Sequence, residues 1–342
     1  MIVKLAPDHT EQDIESIQKL ASKNGLHIRT EVGTETTVIC LLGTFNGKYD
    51  QIMGNLQAMP HVEEVLKISK PYKLAKRMDH RGDTHVRVGD VEFGGDNIVL
   101  IAGPCAVENE TRMMSIAEQV REAGAHMLRG GAYKPRTGPH SFQGLRKKGL
   151  RMLQKAGREN SMPTVTEVME PGKVGLVAEF ADMLQIGARN MQNYKLLQKV
   201  GKSGKPTLLK RGPSATYEEL LLAAEYILNE GNPNVVLCER GIRTAVGPEV
   251  RNTLDLAAVP VIKDLSHLPI IVDPSHGVGV RKYIPDAALA AIAIGADGVH
   301  IEVHDKPEEA LSDGPQSLLP KQYVELVQRM RTVAASVHRT IA

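Results

Sequence analysis

Residues 97–136 read NIVLIAGPCAVENETRMMSIAEQVREAGAHMLRGGAYKPR. An unbroken apolar run, 98–102, opens the stretch, a segment with helical spacing follows at 112–123, and a second apolar run closes it at 126–129. Apolar runs without polar alternation suit parallel strands buried on both faces. The helical segment between them is the crossover that parallel pairing requires. The stretch therefore predicts one β-α-β unit.

The same alternation continues downstream. Further apolar runs stand at 164–166, 183–186, 207–209, 235–238, 270–272 and 298–301, with helical patterns that include 144–160, 192–200, 217–229 and 286–293. Eight strands over ~240 residues are what a closed barrel needs. The expected fold class is α/β, a (β/α)8 TIM barrel over residues 96–342. A doubly wound open sheet is the competing architecture, but no G-x-G-x-x-G follows the first strand, so a dinucleotide site has little support.

Upstream, residues 71–95 read as a connector rich in charge, Gly and Asp, with a hairpin of 85–88 and 91–93 around Gly89-Asp90. Residues 1–70 read as a separate unit. Its elements are a strand at 2–5, a helix opened by Thr10 and stopped by Asn24-Gly25, strands at 27–32 and 36–42 about Gly33, a helix at 49–59 and a strand at 62–68. That β-α-β-β-α-β order is the order of a ferredoxin-like α+β domain.

Composition narrows the function. A chain of 342 residues, 42% hydrophobic and 24% charged, has the make-up of a soluble globular protein of about two domains. A net charge of +2 gives no global attraction to nucleic acid or to a membrane surface. Aromatic residues at 4%, with no Trp, weaken any reading based on base stacking. No apolar run approaches the ~20 residues of a membrane span. The opening MIVKLAPDHTEQD lacks the apolar core of a signal peptide. Cys40, Cys105 and Cys238 lie far apart with no C-x-x-C pair, which fits a reducing, cytoplasmic location.

In a barrel of this kind the active site forms at the carboxyl ends of the strands. Those positions carry two sets of groups. The cationic set is Arg129, Lys134, Arg136, Arg189, Lys210, Arg240 and Arg243. So many positive charges around one mouth repel one another unless anions neutralise them. Arg forks and Lys point charges both bind phosphate and carboxylate, so the set implies a polyanionic substrate. The second set is Cys105, His276, Glu302 and Asp313, from the ends of strands 1, 7 and 8 and the loop after strand 8. Taken singly, Cys105 reads as a small buried residue, His276 as a loop-bonding histidine and Asp313 before Gly314 as a turn residue. Barrel closure brings the four together as a mixed S/N/O donor set. Such a set suits a divalent ion, Mn2+, Fe2+, Co2+ or Zn2+, without choosing among them.

The segments IAGPCAVE, LRGGAYKPRTG-x-x-SFQGL, IGARNMQN, LLKRG, LCERGIRT, RNTLDLAAVP, LPIIVDPSHG and IEVHDKPEEALSDGPQSL resemble those of 3-deoxy-D-arabino-heptulosonate 7-phosphate (DAHP) synthases, in particular the subgroup with an N-terminal ferredoxin-like domain. The resemblance covers essentially the whole chain, and KPRT, ERGIRT, DPSHG and ALSDG-x-QSL occur in order. It implies condensation of phosphoenolpyruvate with D-erythrose 4-phosphate, the first step of the shikimate pathway. It also implies Cys105, His276, Glu302 and Asp313 as ligands of one divalent metal ion. Arg129, Lys134, Arg189 and Lys210 would hold phosphoenolpyruvate. Arg136, Thr137 and Arg240 would lie near the phosphate ends, Arg136 and Thr137 favouring the erythrose phosphate. Lys134 would protonate the new alkoxide, Glu167 would position or activate the attacking water, and Glu167, Lys210 and His276 all remain candidates for its proton. The N-terminal domain would mediate feedback inhibition by Tyr or Phe in a homotetramer. Two departures stand out: Gly138 follows KPRT where the family more often has Ser, and Asp305 follows EVH where Pro is usual, adding a carboxylate near the metal loop.

Three other readings compete. 3-Deoxy-D-manno-octulosonate 8-phosphate synthase shares the barrel but takes arabinose 5-phosphate, and its family resembles K-A-N-R-S-S where this chain has KPRTG. A Schiff-base aldolase would use Lys210. A catalytically silent amino-acid sensor would have no need of the four-ligand set.

Overall fold

Two units, Met1–Pro71 and Tyr72–Ala342, make up the chain in a computed structural model that describes every residue except 34, 35, 44, 67–70, 78–81 and 137. In the first unit the strands are β1 (Ile2–Leu5), β2 (His27–Val32), β3 (Thr37–Leu42) and β4 (Val62–Leu66). They pair antiparallel in the order β2-β3-β1-β4. Alternation sends Val3, Leu5, Ile39 and Leu41 to one face, where they pack on Ile17, Ala21, Ile52 and Leu56 of the helices Glu11–Lys23 and Tyr49–Gln57. Thr10 and Asp13 close a capping box on the first helix, with the Thr10 amide donating to Asp13 Oδ2 at 2.7 Å. The strand expected over 62–68 is described as far as Leu66, and its last two positions lie outside the described residues.

The second unit begins with a hairpin, β5 (Val86–Val88) and β6 (Val91–Phe93). Eight strands follow: β7 (Val99–Gly103), β8 (Met127–Arg129), β9 (Thr164–Glu167), β10 (Met183–Ile186), β11 (Thr207–Lys210), β12 (Val235–Glu239), β13 (Ile270–Val272) and β14 (Gly298–Glu302). Each lies parallel to the next, and β14 returns to β7 with Gly298 opposite Val99 and Glu302 opposite Gly103, closing the barrel. The open-sheet alternative is thereby excluded.

Successive residues on each strand face opposite ways. Leu100, Ala102, Val299 and Ile301 point outward to a ring of helices that includes Glu110–Glu122 and Pro320–Ser336. Val99, Ile101, Met127, Met183, Leu208 and Val236 point inward. The hairpin contributes Val86, Val88 and Phe93 to that inner cluster, against residues from the amino-terminal halves of the strands. The hairpin therefore plugs the amino-terminal end of the barrel, and the carboxyl end stays open. The helix expected from 144 begins at Lys147, because Gly144 (φ 89°) and Arg146 (φ 54°) hold the backbone in the left-handed half of conformational space. Among the described residues no helix is long and apolar enough to cross a membrane.

Candidate active site

Strand ends deliver the ionisable groups to the open mouth. Gly103 ends β7 at φ 147°, and a Cβ there would stand 2.2 Å from the Arg129 carbonyl oxygen, so only glycine lets this strand end press against β8. The chain then runs through Pro104 to Cys105, which is buried. Arg129 ends β8, Glu167 ends β9, Lys210 ends β11 and Glu302 ends β14, all buried. Asp273 follows β13 and caps the short helix Pro274–Val278, which carries His276. Asp313 sits in a loop beyond β14 with a left-handed backbone, φ 54°.

Barrel closure brings Cys105, His276, Glu302 and Asp313 together, with one ligand atom from each lying within 4.8 Å of the others. Cys105 Sγ is 3.1 Å from Asp313 Oδ2, and His276 Nε2 is 3.4 Å from Glu302 Oε1. Bonds of ~2.0–2.3 Å to one ion place tetrahedral ligand atoms ~3.3–3.8 Å apart, so the set fits a single first-row ion with little adjustment. Three of the four are held from behind. The His276 ring donates through Nδ1 to Asp273 Oδ2 at 2.7 Å, which leaves Nε2 facing Glu302. Glu302 accepts from Gln316 Nε2 at 2.6 Å and from Arg129 Nη1 at 2.9 Å. Lys134 Nζ donates to the Cys105 carbonyl at 3.0 Å and to its Sγ at 2.9 Å.

Charge follows from these contacts. Burial and the neighbouring Glu302 push the Cys105 thiol up to about 12. Burial alone would raise Glu302, but His276 and Arg129 outweigh it and hold the carboxyl low. Asp313 is held low in the same way by His276, the Cys105 thiol, Lys134 and Arg251 against its burial. Two carboxylates kept anionic beside a thiol and an imidazole are the donor chemistry a divalent cation needs.

Beside this cluster opens a cleft of about 500 Å³. Lys134, Arg136, Arg189, Lys210, Arg240 and Arg243 of the expected cationic set line it, with Glu167, His276 and Asp313. Arg129 lies behind the wall. Its Nη1 donates to Pro104 O at 2.6 Å and to Glu302, and its buried Nε meets no hydrogen-bond acceptor among the described residues. Among the described residues Arg136 and Arg189 reach only main-chain oxygens, Arg136 those of Phe142 and Leu311 and Arg189 that of Pro135. Thr137 lies outside the described residues. Gly187, in extended backbone at φ −66°, follows β10, and a Cβ on it would stand 2.0 Å from Glu167 Oε1, so the glycine makes room for that carboxylate.

Several residues at the site escape a reading of strand ends. Arg251 lines the cleft and donates to Gln316 Oε1 at 3.0 Å, and Gln316 in turn holds Glu302. Both sit inside RNTLDLAAVP and ALSDGPQSL, but neither ends a strand. Asp273 does follow a strand and opens DPSHG, but a reading for ligands passes over it for His276, three residues on. The cleft also regains a hydroxyl near Gly138, from Ser141. Asp305 does not serve the cluster: its carboxylate pairs with Arg112 Nε at 2.9 Å and faces His304 Nδ1 at 3.2 Å. Arg112 spans Glu108, Asp305 and Glu309, and its guanidinium, not the ligand cluster, is the partner of Asp305.

Residues 65–339 match the DAHP synthetase I family, and residues 1–70 match the DAHP synthase ferredoxin-like domain. The chain is 49% identical over 334 residues to the phospho-2-dehydro-3-deoxyheptonate aldolase of Thermotoga maritima, covering 98% of each. It is 31% identical over 271 residues to the 2-dehydro-3-deoxyphosphooctonate aldolase of Syntrophotalea carbinolica, covering 74% of this chain and 96% of that one. The crystal structure of the Thermotoga maritima phospho-2-dehydro-3-deoxyheptonate aldolase (DAHP synthase) superposes with a TM-score of 0.93 at 47% identity, over 100% of this chain and 99% of the other. A truncated form of 3-deoxy-D-arabino-heptulosonate 7-phosphate synthase from the same organism covers 79% of this chain and 98% of its own length, with a TM-score of 0.73 at 47% identity. A barrel with this site, joined to a unit that matches the ferredoxin-like domain, makes the chain an enzyme belonging to the DAHP synthetase I family.

Proposed function

We propose that the protein condenses phosphoenolpyruvate with D-erythrose 4-phosphate and water, giving 3-deoxy-D-arabino-heptulosonate 7-phosphate and phosphate, in the cytoplasm. One observation carries the reading: a Cys/His/Glu/Asp ligand set and a wall of Lys and Arg open on the same cleft. Two phosphorylated substrates, one of them an aldehyde, need that combination. A divalent ion on Cys105, His276, Glu302 and Asp313, whether Mn2+, Fe2+, Co2+ or Zn2+, would supply Lewis-acid polarisation of the aldehyde oxygen.

The chain's own groups do the rest. Lys134, Arg189 and Lys210 hold phosphoenolpyruvate, with Arg129 offering the N–H that Glu302 leaves unused. Arg136 and Thr137 take the erythrose phosphate, with Arg240 near the phosphate ends. C3 of the enol attacks the aldehyde carbon, and Lys134 gives its proton to the new alkoxide. Positive charge develops at C2 and water adds there. Glu167 positions that water, and among Glu167, Lys210 and His276 it is the best placed to accept the proton, since Lys210 Nζ and His276 Nδ1 are both committed to Asp273. The hemiketal phosphate then breaks its C2–O bond and releases phosphate. Lys210, ion-paired and buried, is poorly placed to form a Schiff base.

The 31% identity to the 2-dehydro-3-deoxyphosphooctonate aldolase of Syntrophotalea carbinolica favours arabinose 5-phosphate as the second acceptor to test. Phosphate release and loss of enol absorbance are followed with each sugar, with and without EDTA. Turnover of erythrose 4-phosphate that EDTA abolishes and Mn2+ restores is the expected result. Preference for arabinose 5-phosphate overturns the assignment. Residues 1–70 are proposed to mediate feedback inhibition by Tyr or Phe within a homotetramer. Deleting them leaves activity and removes inhibition, and inhibition that survives the deletion refutes this part.

A further inference from the structure

Asp273 has no exposed surface, and its two carboxylate oxygens divide their duties. Oδ1 accepts the His276 main-chain N–H at 2.9 Å and so caps the short helix. Oδ2 accepts from His276 Nδ1 at 2.7 Å and from Lys210 Nζ, and the His300 ring nitrogen Nδ1 lies 3.3 Å from the same atom. His300 is wholly buried, and among the described residues neither of its ring nitrogens makes a hydrogen bond. One oxygen therefore has two strong donors. One of them belongs to the proposed ligand set, and the other lines the anion cleft.

We propose that Asp273 is a positioning residue that couples anion binding at Lys210 to ion binding at His276, an inference that rests on the function proposed above. The physical basis is competition for a single acceptor. When Lys210 turns its ammonium toward an anion in the cleft, its hold on Oδ2 weakens. More of the carboxylate charge then falls on the His276 Nδ1–H, and the imidazole becomes a better donor at Nε2. The reverse path is equally open. An ion on Nε2 makes Nδ1–H the stronger claimant on Oδ2 and frees Lys210 for the anion. Each ligand therefore tightens the other, by the same factor in both directions.

The test uses the full chain, Mn2+ as the ion and phosphoenolpyruvate as the anion, with no sugar present. Equilibrium dialysis of Mn2+ gives its affinity with and without phosphoenolpyruvate. Tightening of about tenfold is expected, the lower end of what partners of metal-bound histidines contribute. Phosphoenolpyruvate affinity rises by the same factor when Mn2+ is present. Asp273→Asn keeps the shape but not the charge, and reduces the factor to about twofold or less. No tightening in the unaltered protein overturns the proposal, and so does undiminished tightening in Asp273→Asn, which would place the ion and the anion in direct contact. If that variant does not fold, the Nδ1–H proton resonance of His276 in the unaltered Zn2+-loaded protein decides. It moves downfield on adding phosphoenolpyruvate if the coupling runs through Asp273, and an unmoved resonance overturns it. Coupling without turnover of either sugar would defeat the proposed reaction and leave this relay standing. Turnover without coupling would do the opposite.

Discussion

Glu167 can be tested without touching it. Gly187→Ala builds a methyl whose carbon would lie 2.0 Å from Glu167 Oε1, 2.8 Å from its Cδ and 3.3 Å from Oε2. Ordinary contact needs more than 3 Å, so the carboxylate must retreat by about 1 Å or rotate away. The backbone does not resist the change, because φ −66° and ψ 156° suit alanine. The obstructing atoms are the free end of a flexible side chain, and alanine lowers the entropy of the unfolded chain by about 0.4–1 kcal/mol. The melting temperature should therefore move by no more than about 4 °C. A misplacement of about 1 Å at a reacting group costs up to ~100-fold in rate, so kcat should fall by 10- to 100-fold. Steady-state phosphate release on Gly187→Ala, Glu167→Ala and the double variant forms a cycle. If the methyl acts only through the carboxylate, it costs nothing further once Glu167 is alanine. Full activity in Gly187→Ala, or simple additivity in the cycle, refutes the role given to Glu167.

Three more outcomes are expected. Cys105→Ala should lose both bound metal and activity, read by elemental analysis beside the turnover assay; normal values for both would remove Cys105 from the ligand set. Arg211→Met should cost about 3–5 kcal/mol in denaturant unfolding, because it strips the partner from buried Glu239, 2.8 Å away, while the KM for phosphoenolpyruvate stays nearly constant in the folded protein. Phe93→Ala should cost about 3–5 kcal/mol for a fully buried aromatic side chain; a loss below about 1 kcal/mol would mean that the hairpin does not seal the barrel floor.

The barrel was legible because its strands are buried on both faces. Met183–Ile186 and Ile270–Val272 stand out as apolar islands, and the structure reproduces both at the expected boundaries. Helix limits were less legible, since they depend on caps and backbone signs that apolar spacing does not carry. Asn109 caps the helix that begins at Glu110, two residues before the expected start, by accepting the Arg112 N–H. Proline at the second position starts the helix Ile284–Ala293 earlier than Asp286 suggested. The helix Pro320–Ser336 was not singled out at all. At the site, the groups that end strands were readable from position, and the structure gathers them. Gln316 and Arg251 were not, because a glutamine beyond a turn and an arginine in a long loop look like solvated surface until closure folds them onto Glu302 and Asp313. Asp305 misled for the converse reason: sequence proximity to the metal loop says nothing about Arg112, which claims it from the other side of the barrel seam.

The ligand cluster joins the beginning and the end of the barrel. Cys105 and Asp313 stand 208 positions apart, and β14, whose pairing with β7 unites them, is the last of the eight barrel strands to be synthesised. A ribosome-bound chain still lacking its eighth strand holds Cys105 but neither Glu302 nor Asp313. It therefore presents only part of the donor set, and the complete site does not exist before the barrel closes. An ion held by all four residues would load only after synthesis has passed the closing strand, and it would fasten the seam where the two ends of the barrel meet.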